Sequence, residues 1–183
     1  MVNRKLFRAD LVLNDNIIAL NPEILAKYQL KGLILDVDDT LVPFNSAHIA
    51  PEVITWIEII KEKAVIYLVS NNLSHNRIKN IAQTLQLPYI FGARKPSRRK
   101  LKQALNIMQL KPEEVAMVGD NILTDVLAGN RLGMFTILIQ PVICLDSPAY
   151  LQGLEKLKVL FLHLLGVDDP IAQQNLTKQD KSS

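Results

Sequence analysis

Two aspartates directly follow a short apolar run in the first quarter of the chain. The run 33–35 has the pattern of a buried strand, and Asp36 and Asp38 come at its end. Residues two apart in an extended segment project to the same side, so the two carboxylates repel each other. At about 4 Å this repulsion costs about 1 kcal/mol in water and about 4 kcal/mol at an effective dielectric constant near 20. A divalent cation would offset it, and oxygen ligands favour Mg²⁺. The alternative is a surface Asx turn, in which Asp39 and Thr40 cap the next segment.

Three later apolar runs also end in residues able to do chemistry. Because the carboxyl ends of parallel strands share one edge of a sheet, we expect their polar side chains to converge with the two aspartates. The residues that follow the runs 64–69, 87–91 and 115–118 are, in turn, Ser70 with Asn71, Lys95, and Asp120 with Asn121 and Asp125.

These residue types together suit phosphoryl transfer. One carboxylate can attack phosphorus and form an acyl-phosphate, while a second protonates the leaving oxygen and later activates water. A hydroxyl and a lysine can hold the phosphoryl oxygens, and a metal ion would offset repulsion between two anions. Each residue taken alone has a simpler interpretation. Ser70 or Asn121 could cap a helix, Lys95 could be a solvated charge, and Asp125 suits the first turns of any helix.

Helical patterns alternate with these strands along the chain. Such alternation favours an α/β fold of three layers, with helices on both faces of a parallel sheet. One expected helix begins at Pro22 with Asn21 as its cap, and another begins at Ser74 as its cap. The remaining predicted helices span 51–63, 97–110, 123–132 and 150–165, and a last strand spans 135–139.

Length and composition indicate one ordinary folded domain. The chain has 183 residues, 49% of them hydrophobic, and a net charge of +3. We expect an N-terminal segment over 1–30 packed on a core over 31–167, followed by a flexible polar tail over 168–183. The single cysteine, Cys144, excludes an internal disulfide and fits a cytoplasmic location. Neither a signal peptide nor a membrane-spanning run of about 18 apolar residues is expected.

The order Asp-x-Asp-x-Thr, Ser, Lys and Gly-Asp-x-x-x-x-Asp resembles the four motifs of the haloacid dehalogenase-like (HAD) phosphohydrolases. The resemblance covers about Lys31 to Ile139 and implies a Rossmann-like HAD fold. It implies Asp36 as nucleophile and Asp38 as general acid and base. It also implies Mg²⁺ held by Asp36, the Asp38 backbone carbonyl and Asp120. Phosphate would be bound by Ser70, Asn71 and Lys95, with Lys95 also steadying Asp36. Thr40 and Asn121 would support the metal ligands, and Asp125 would either do the same or hold Lys95.

The gaps between motifs and the placement of charge bear on the substrate. About ten residues separate Thr40 from Pro51, and one helix and one short strand fit between Ser70 and Lys95. Neither gap has room for a cap domain, so we expect an open site. The stretch 94–102 carries six basic residues and no acid. Near an anionic membrane each such residue can contribute about 1 kcal/mol.

The chain is also similar to a narrower branch, the capless HAD subfamily IIIA of YqeG-like proteins, which is related to phosphatidylglycerophosphate phosphatases. This similarity implies removal of the terminal phosphate of phosphatidylglycerophosphate, with a phospholipid head group as partner and peripheral contact with the inner face of a membrane. One departure is Asp39, where relatives commonly carry Asn. The apolar helix expected over 150–165 either packs on the core or partly faces lipid.

Several other functions remain open at this point. A soluble phosphatase could act on a nucleotide, a sugar phosphate or a phosphorylated macromolecule, and a non-enzymatic module could bind a ribosome or RNA. A polynucleotide-end phosphatase is less favoured because few aromatic residues are available for base stacking, so no specific nucleic acid is expected. A phosphorelay receiver would normally place its phosphoacceptor after a later strand, where this chain has Ser70. The oligomeric state is left open.

Overall fold

A six-stranded, fully parallel sheet forms the centre of the protein. The computed structural model describes residues 4–44 and 46–142. The strand order across the sheet is β1-β6-β5-β2-β3-β4. The strands are β1 (Leu11–Val12), β2 (Gly32–Leu35), β3 (Val65–Val69), β4 (Tyr89–Ile90), β5 (Val115–Gly119) and β6 (Phe135–Leu138). The predictions for Cys144, for the helix over 150–165 and for the polar tail lie outside the described residues.

Helices connect the strands. They are α1 (Pro22–Lys27), α2 (Pro51–Lys61), α3 (His75–Leu85), α4 (Arg99–Met108) and α5 (Leu127–Asn130). Short 3₁₀ turns occupy Arg4–Phe7, Ile17–Ala19 and Pro112–Glu114. The helix predicted over 123–132 instead begins as a π-helical turn over Ile122–Val126, and α5 continues from it.

Two helix starts were predicted from capping residues, and the structure shows a capping hydrogen bond from the side chain of only one of them. Asn21 caps α1 as expected, because its side-chain oxygen accepts a hydrogen bond from Ile24 N at 3.0 Å. Ser74 occupies the capping position of α3 but makes no capping hydrogen bond with its side chain. Its backbone N–H instead donates to Asn72 Oδ1 at 2.8 Å, so Asn72 shapes this turn.

Side chains of β2 alternate between two cores, as expected for a strand covered on both faces. Leu33 and Leu35 belong to a cluster with Ile57 of α2 and Ile78 of α3. Ile34 belongs to a second cluster, which contains buried residues of α4 and α5. The three-layer α/β/α prediction is confirmed. In the described residues, the connections that follow β2 and β3 contain no inserted cap domain.

The N-terminal segment adds an edge strand that the sequence pattern did not reveal. β1 pairs with β6 over only two residues, and Asp10 Oδ2 accepts hydrogen bonds from Thr136 N and Oγ1 at 2.8 and 2.9 Å. A two-residue strand is too short to show the alternation by which strands are recognised. Trp56 of α2 is buried and donates a 2.7 Å hydrogen bond to Leu20 O, which joins this segment to the core.

Candidate active site

Asp36 lies immediately after β2, at the carboxyl edge of the sheet, and is 8% exposed. Its backbone N–H continues the sheet by donating to Val118 O at 2.9 Å, which fixes the residue against β5. Its Oδ1 accepts a 2.8 Å hydrogen bond from Val37 N and lies 2.9 Å from Lys95 Nζ. The carboxylate is therefore held in one orientation by both the main chain and a cation.

Lys95 reaches this point from the loop after β4, and its side chain is completely buried. Its ammonium also lies 2.6 Å from Asp125 Oδ1, so it joins two carboxylates from different segments. Asn71 holds the Lys95 backbone from both sides, because Asn71 Oδ1 accepts from Lys95 N at 2.6 Å and Nδ2 donates to Lys95 O at 3.2 Å. The Asn71 amide, predicted to bind phosphate, is thus engaged in positioning the lysine.

Burial sets the electrostatics of this cluster. It raises the pKa of the Asp36 carboxyl to about 7, with the charge of Asp125 adding to the effect and Lys95 opposing it. For Lys95 burial alone would lower the pKa, but the carboxylates of Asp125 and Asp36 outweigh burial, and the pKa is raised. The lysine therefore stays charged at neutral pH, while Asp36 is close to its point of ionisation.

Three carboxylates form a cluster that could hold a divalent metal ion. Oxygens of Asp36, Asp120 and Asp125 all lie within 4.8 Å of one another. When all three groups are ionised, Lys95 supplies one positive charge against three negative ones. A divalent cation would balance the remaining two, and carboxylate oxygens are ligands that Mg²⁺ accepts. Asp120 is further held by Thr40, whose Oγ1 donates to Asp120 Oδ1 at 3.4 Å.

Asp125 differs from the other two carboxylates of this cluster in its contacts. One oxygen pairs with Lys95, and the other accepts a 3.2 Å hydrogen bond from Asn121 N. Asn121 also caps the turn that carries Asp125, because its Oδ1 accepts from Leu123 N at 2.9 Å. A Cβ on Gly119 would lie 2.4 Å from Asp125 Oδ2, so only glycine lets this carboxylate pack against the end of β5.

Asp38 lies apart from the three-carboxylate cluster and contacts the segment after β3. Its Oδ2 accepts from Ser70 Oγ at 3.2 Å, and Asn72 Nδ2 donates to both of its oxygens at 3.2 and 3.4 Å. Arg77 of α3 forms an ion pair with Oδ1. Neither Asn72 nor Arg77 was identified from the sequence. Their positions, two and seven residues after Ser70 where α3 begins at the same edge of the sheet, were the available signal.

Known proteins resemble this chain in sequence and in fold. Residues 92–141 match a family model described as HAD-hydrolase-like. The chain is 39% identical over 132 residues to the probable phosphatase YqeG of Bacillus subtilis, over 72% of this chain and 77% of that protein. The chain belongs to the HAD family of phosphatases. As a HAD phosphatase, it is a hydrolase that acts on phosphate esters.

Two more distant similarities concern this HAD phosphatase. It is 28% identical over 127 residues to phosphatidylglycerophosphate phosphatase 1, chloroplastic, of Chlamydomonas reinhardtii, over 64% of this chain and 47% of that protein. A solved structure of a predicted HAD-like family hydrolase from Porphyromonas gingivalis matches with a TM-score of 0.51 at 12% identity, over 69% of this chain and 98% of that chain. The second similarity supports the fold alone.

Two histidines that lie close to the site in sequence take different positions in this HAD phosphatase. His75 contacts aromatic side chains, with its Nε2 3.0 Å from Tyr89 Oη and its ring centroid 4.6 Å from that of Phe91. The backbone N–H of His48 donates to Ser46 Oγ at 2.9 Å.

Within residues 4–44 and 46–142, no helix has the length and apolar character needed to span a bilayer.

Proposed function

We propose that this HAD phosphatase hydrolyses phosphomonoesters in two steps through an aspartyl-phosphate on Asp36. A carboxylate oxygen of Asp36 attacks phosphorus while the bond from phosphorus to the ester oxygen breaks, and Asp38 gives its proton to that leaving oxygen. Asp38 then takes a proton from water, which attacks the acyl-phosphate and releases inorganic phosphate and Asp36. The observation that carries this proposal is the fixed Asp36 carboxylate, held by Lys95 beside two further carboxylates.

Lys95 and Ser70 are the proposed partners of the transferring phosphoryl group. Lys95 already lies against Asp36, so its charge would offset the negative charge that accumulates as phosphorus is attacked. Ser70 Oγ accepts a 2.9 Å hydrogen bond from Asn72 N and donates to Asp38, which aligns its hydroxyl with the proposed acid. Asn71 contributes by holding the Lys95 backbone.

A divalent cation, which we propose to be Mg²⁺, would be held by Asp36, Asp120 and the Asp38 backbone carbonyl. When bound, it would neutralise part of the charge shared by the nucleophile and the phosphoryl group. In this proposal Asp125, Thr40 and Asn121 do not touch the metal. They orient Asp120 and Lys95 through the hydrogen bonds and ion pair described above.

The proposed substrate is phosphatidylglycerophosphate, with phosphatidylglycerol as the product. The name of the Chlamydomonas relative supports this choice, as does the lack of a cap over the described site. Three exposed apolar residues, which we call the apolar rim, follow β2, β3 and β4 at the edge that carries Asp36. These residues are Phe44, Leu73 and Phe91, with 45%, 76% and 40% of their surface exposed.

Basic residues accompany the apolar rim. Arg94, Arg98 and Arg99 are exposed in the segment that follows β4 and leads into α4. Apolar side chains flanked by cations match a membrane surface that carries anionic lipids. We therefore propose that the protein contacts the inner face of a membrane peripherally while it acts on a lipid head group.

A phosphate-release panel tests both the aspartyl-phosphate mechanism and the lipid substrate. The panel contains phosphatidylglycerophosphate in mixed micelles, a nucleoside monophosphate, a sugar phosphate and an aryl phosphate, each measured with Mg²⁺ and with a chelator. We expect the lipid to give the highest kcat/KM and Asp36→Asn to abolish release from every substrate. A preference for the nucleotide or the sugar phosphate would reject the lipid assignment alone. Full activity of Asp36→Asn would reject the aspartyl-phosphate mechanism.

A further inference from the structure

The side chain of Arg77, which projects from α3, contacts the Asp38 carboxylate and two backbone carbonyls. Its Nη1 pairs with Asp38 Oδ1, its Nε donates to Ser46 O at 2.9 Å, and its Nη2 donates to Ser46 O and Pro43 O at 2.6 and 3.1 Å. The side chains of Arg77 and Asp38 are 15% and 14% exposed. One guanidinium therefore joins the proposed acid and base to the chain segment that follows it.

The planar fork of the guanidinium explains why arginine suits this position. Its N–H groups lie at fixed angles, so bonds to the two carbonyls orient the remaining nitrogen toward the carboxylate. A lysine has a single ammonium on a flexible stem and would not hold all three acceptors in a fixed geometry. Asn72 and Ser70 add bonds to the same carboxylate from the loop after β3. The Asp38 carboxylate is thus restrained on both of its oxygens.

We propose that Arg77 is a positioning residue, which fixes the Asp38 carboxyl group for proton transfer by tying it to the segment containing Pro43 and Ser46. This inference rests on the proposed function, in which Asp38 protonates the leaving oxygen. Arg77 does not itself exchange a proton with substrate. Its contribution is greatest where the leaving group cannot depart without a proton.

A purely structural role would have a different kinetic signature. If Arg77 only anchored α3, its removal would lower activity equally for all leaving groups. If it positions Asp38, the loss depends on the leaving group, because a weakly basic phenolate departs without help from an acid. Phenyl phosphate and 2,4-dinitrophenyl phosphate distinguish the two roles, since both are aryl phosphates but only the more basic phenolate needs a proton in order to leave.

The experiment compares kcat/KM of the full-length protein and its Arg77→Gln variant on these two substrates. The ratio kcat/KM reports on steps up to phosphoryl transfer to Asp36, so hydrolysis of the acyl-phosphate does not contribute. We expect Arg77→Gln to lose at least about 30-fold on phenyl phosphate and less than about threefold on dinitrophenyl phosphate. In an Asp38→Asn background, Arg77→Gln should cause no further loss on phenyl phosphate.

Lys61→Gln is the matched control. Lys61 is also a basic residue that anchors α3, since its Nζ donates to Leu85 O at 2.7 Å at the far end of the helix. We expect Lys61→Gln to leave both kcat/KM values within about twofold, because Lys61 precedes the start of β3 and so lies at the opposite edge of the sheet from the site.

Arg77→Lys keeps the charge and removes the fork, and it serves if Arg77→Gln does not fold. Its loss should again be larger on phenyl phosphate. Equal losses on both substrates, or full activity of Arg77→Lys, would overturn the positioning role while leaving the aspartyl-phosphate mechanism intact. A wild-type protein inactive on these two substrates and on every substrate of the phosphate-release panel would instead reject the proposed function itself.

Discussion

Lys95 and Asp125 form an ion pair with no solvent-exposed side-chain surface, and Nζ lies 2.6 Å from Oδ1. The same ammonium lies 2.9 Å from Asp36 Oδ1. One cation thus stabilises two buried carboxylates, one just after β2 and the other in the π-helical turn that follows β5. Buried charge of this kind is costly when one partner is removed, so the site and the stability of the fold depend on the same lysine.

Lys95→Met should destabilise the metal-free protein by about 3–5 kcal/mol at pH 8, because it leaves buried carboxylates without their cation. Chemical denaturation in the presence of a chelator measures this change. The deficit should shrink as the pH falls and the carboxylates become protonated. Lys61→Met, which removes a partly exposed ion pair with Glu58 and a hydrogen bond to Leu85 O, should cost only about 1–2 kcal/mol. A Lys95→Met variant as stable as wild type would show that the buried pair is not needed.

Gly119→Ala should disturb the site through a steric contact. The new methyl group would lie 2.4 Å from Asp125 Oδ2, so the carboxylate must move away from Lys95 and Asn121. We expect a destabilisation of about 1–3 kcal/mol together with a large loss of phosphatase activity. Gly133→Asn is the control, since its positive φ of 73° strains any residue but glycine while no atom lies within 4 Å of the added Cβ. Asn tolerates this φ better than most residues, so the variant should lose some stability and keep its activity. Equal losses of activity in the two variants would contradict this account.

The raised pKa of Asp36 makes the stability of the metal-free protein depend on pH. Since the folded pKa of about 7 exceeds the ordinary value of 3.8, the folded state binds this proton more tightly than the unfolded state. Protonated Asp36 therefore contributes its full stabilisation of the folded state below about pH 4, and this contribution is lost as the pH rises to about 7. The slope for one proton is at most about 1.4 kcal/mol per pH unit.

Asp36→Asn isolates this contribution from that of the other carboxyl groups. The free energy of unfolding of wild type minus that of Asp36→Asn should fall between pH 4 and 7 when both are measured with a chelator. A difference that stays constant over this range would contradict the raised pKa. Added Mg²⁺ should raise the stability of wild type at pH 8 more than that of the variant.

Asp38→Asn should slow phosphate release by about 10²–10⁴-fold, since it removes the proposed proton donor and acceptor. If hydrolysis of the acyl-phosphate slows more than its formation, phosphorylated protein accumulates. Intact-protein mass spectrometry after mixing with dinitrophenyl phosphate would detect the added phosphoryl group. Asp36→Asn treated in the same way should remain unmodified, and label on that variant would identify a different nucleophile.

The apolar rim should contribute to activity on a membrane-borne substrate and not to activity on a small soluble phosphate ester. Leu73→Ser combined with Phe91→Ser should lower activity on lipid substrate in anionic vesicles severalfold and leave activity on an aryl phosphate unchanged. Ile107→Ser is the control, because Ile107 is 56% exposed near the far end of α4. Equal losses on both substrates would count against membrane docking.

The basic residues of the neighbouring segment give a second test of membrane contact. Substituting Arg98, Arg99 and Lys100 by Ala should lower activity on the lipid substrate more than on an aryl phosphate. The difference should be greatest at low salt, because added ions screen exposed charges. An effect that does not change with ionic strength would indicate that these residues act through the fold and not through the membrane.

The sequence predicted the sheet and the edge of the sheet at which the polar residues meet, because parallel strands impose that geometry on any residues at their ends. The structure accordingly brings Asp36, Lys95 and Asp120 to one place. The sequence did not predict that Arg77 is part of the site. The reach of a long side chain across a loop depends on tertiary packing and has no local pattern. The division of contacts at Asp125 likewise depends on a π-helical turn, which no periodicity indicated.

The acidic residues of the site follow central strands of the sheet, whereas the lysine follows an edge strand. Asp36 and Asp120 follow β2 and β5, which are adjacent at the centre of the sheet, whereas Lys95 follows β4, a two-residue strand at its margin. Fraying of that margin would withdraw the ammonium while leaving the acidic groups in place. Local opening at this edge should therefore inactivate the enzyme before the fold is lost, with hydrogen exchange faster around Tyr89 and Ile90 than in β2 and β5.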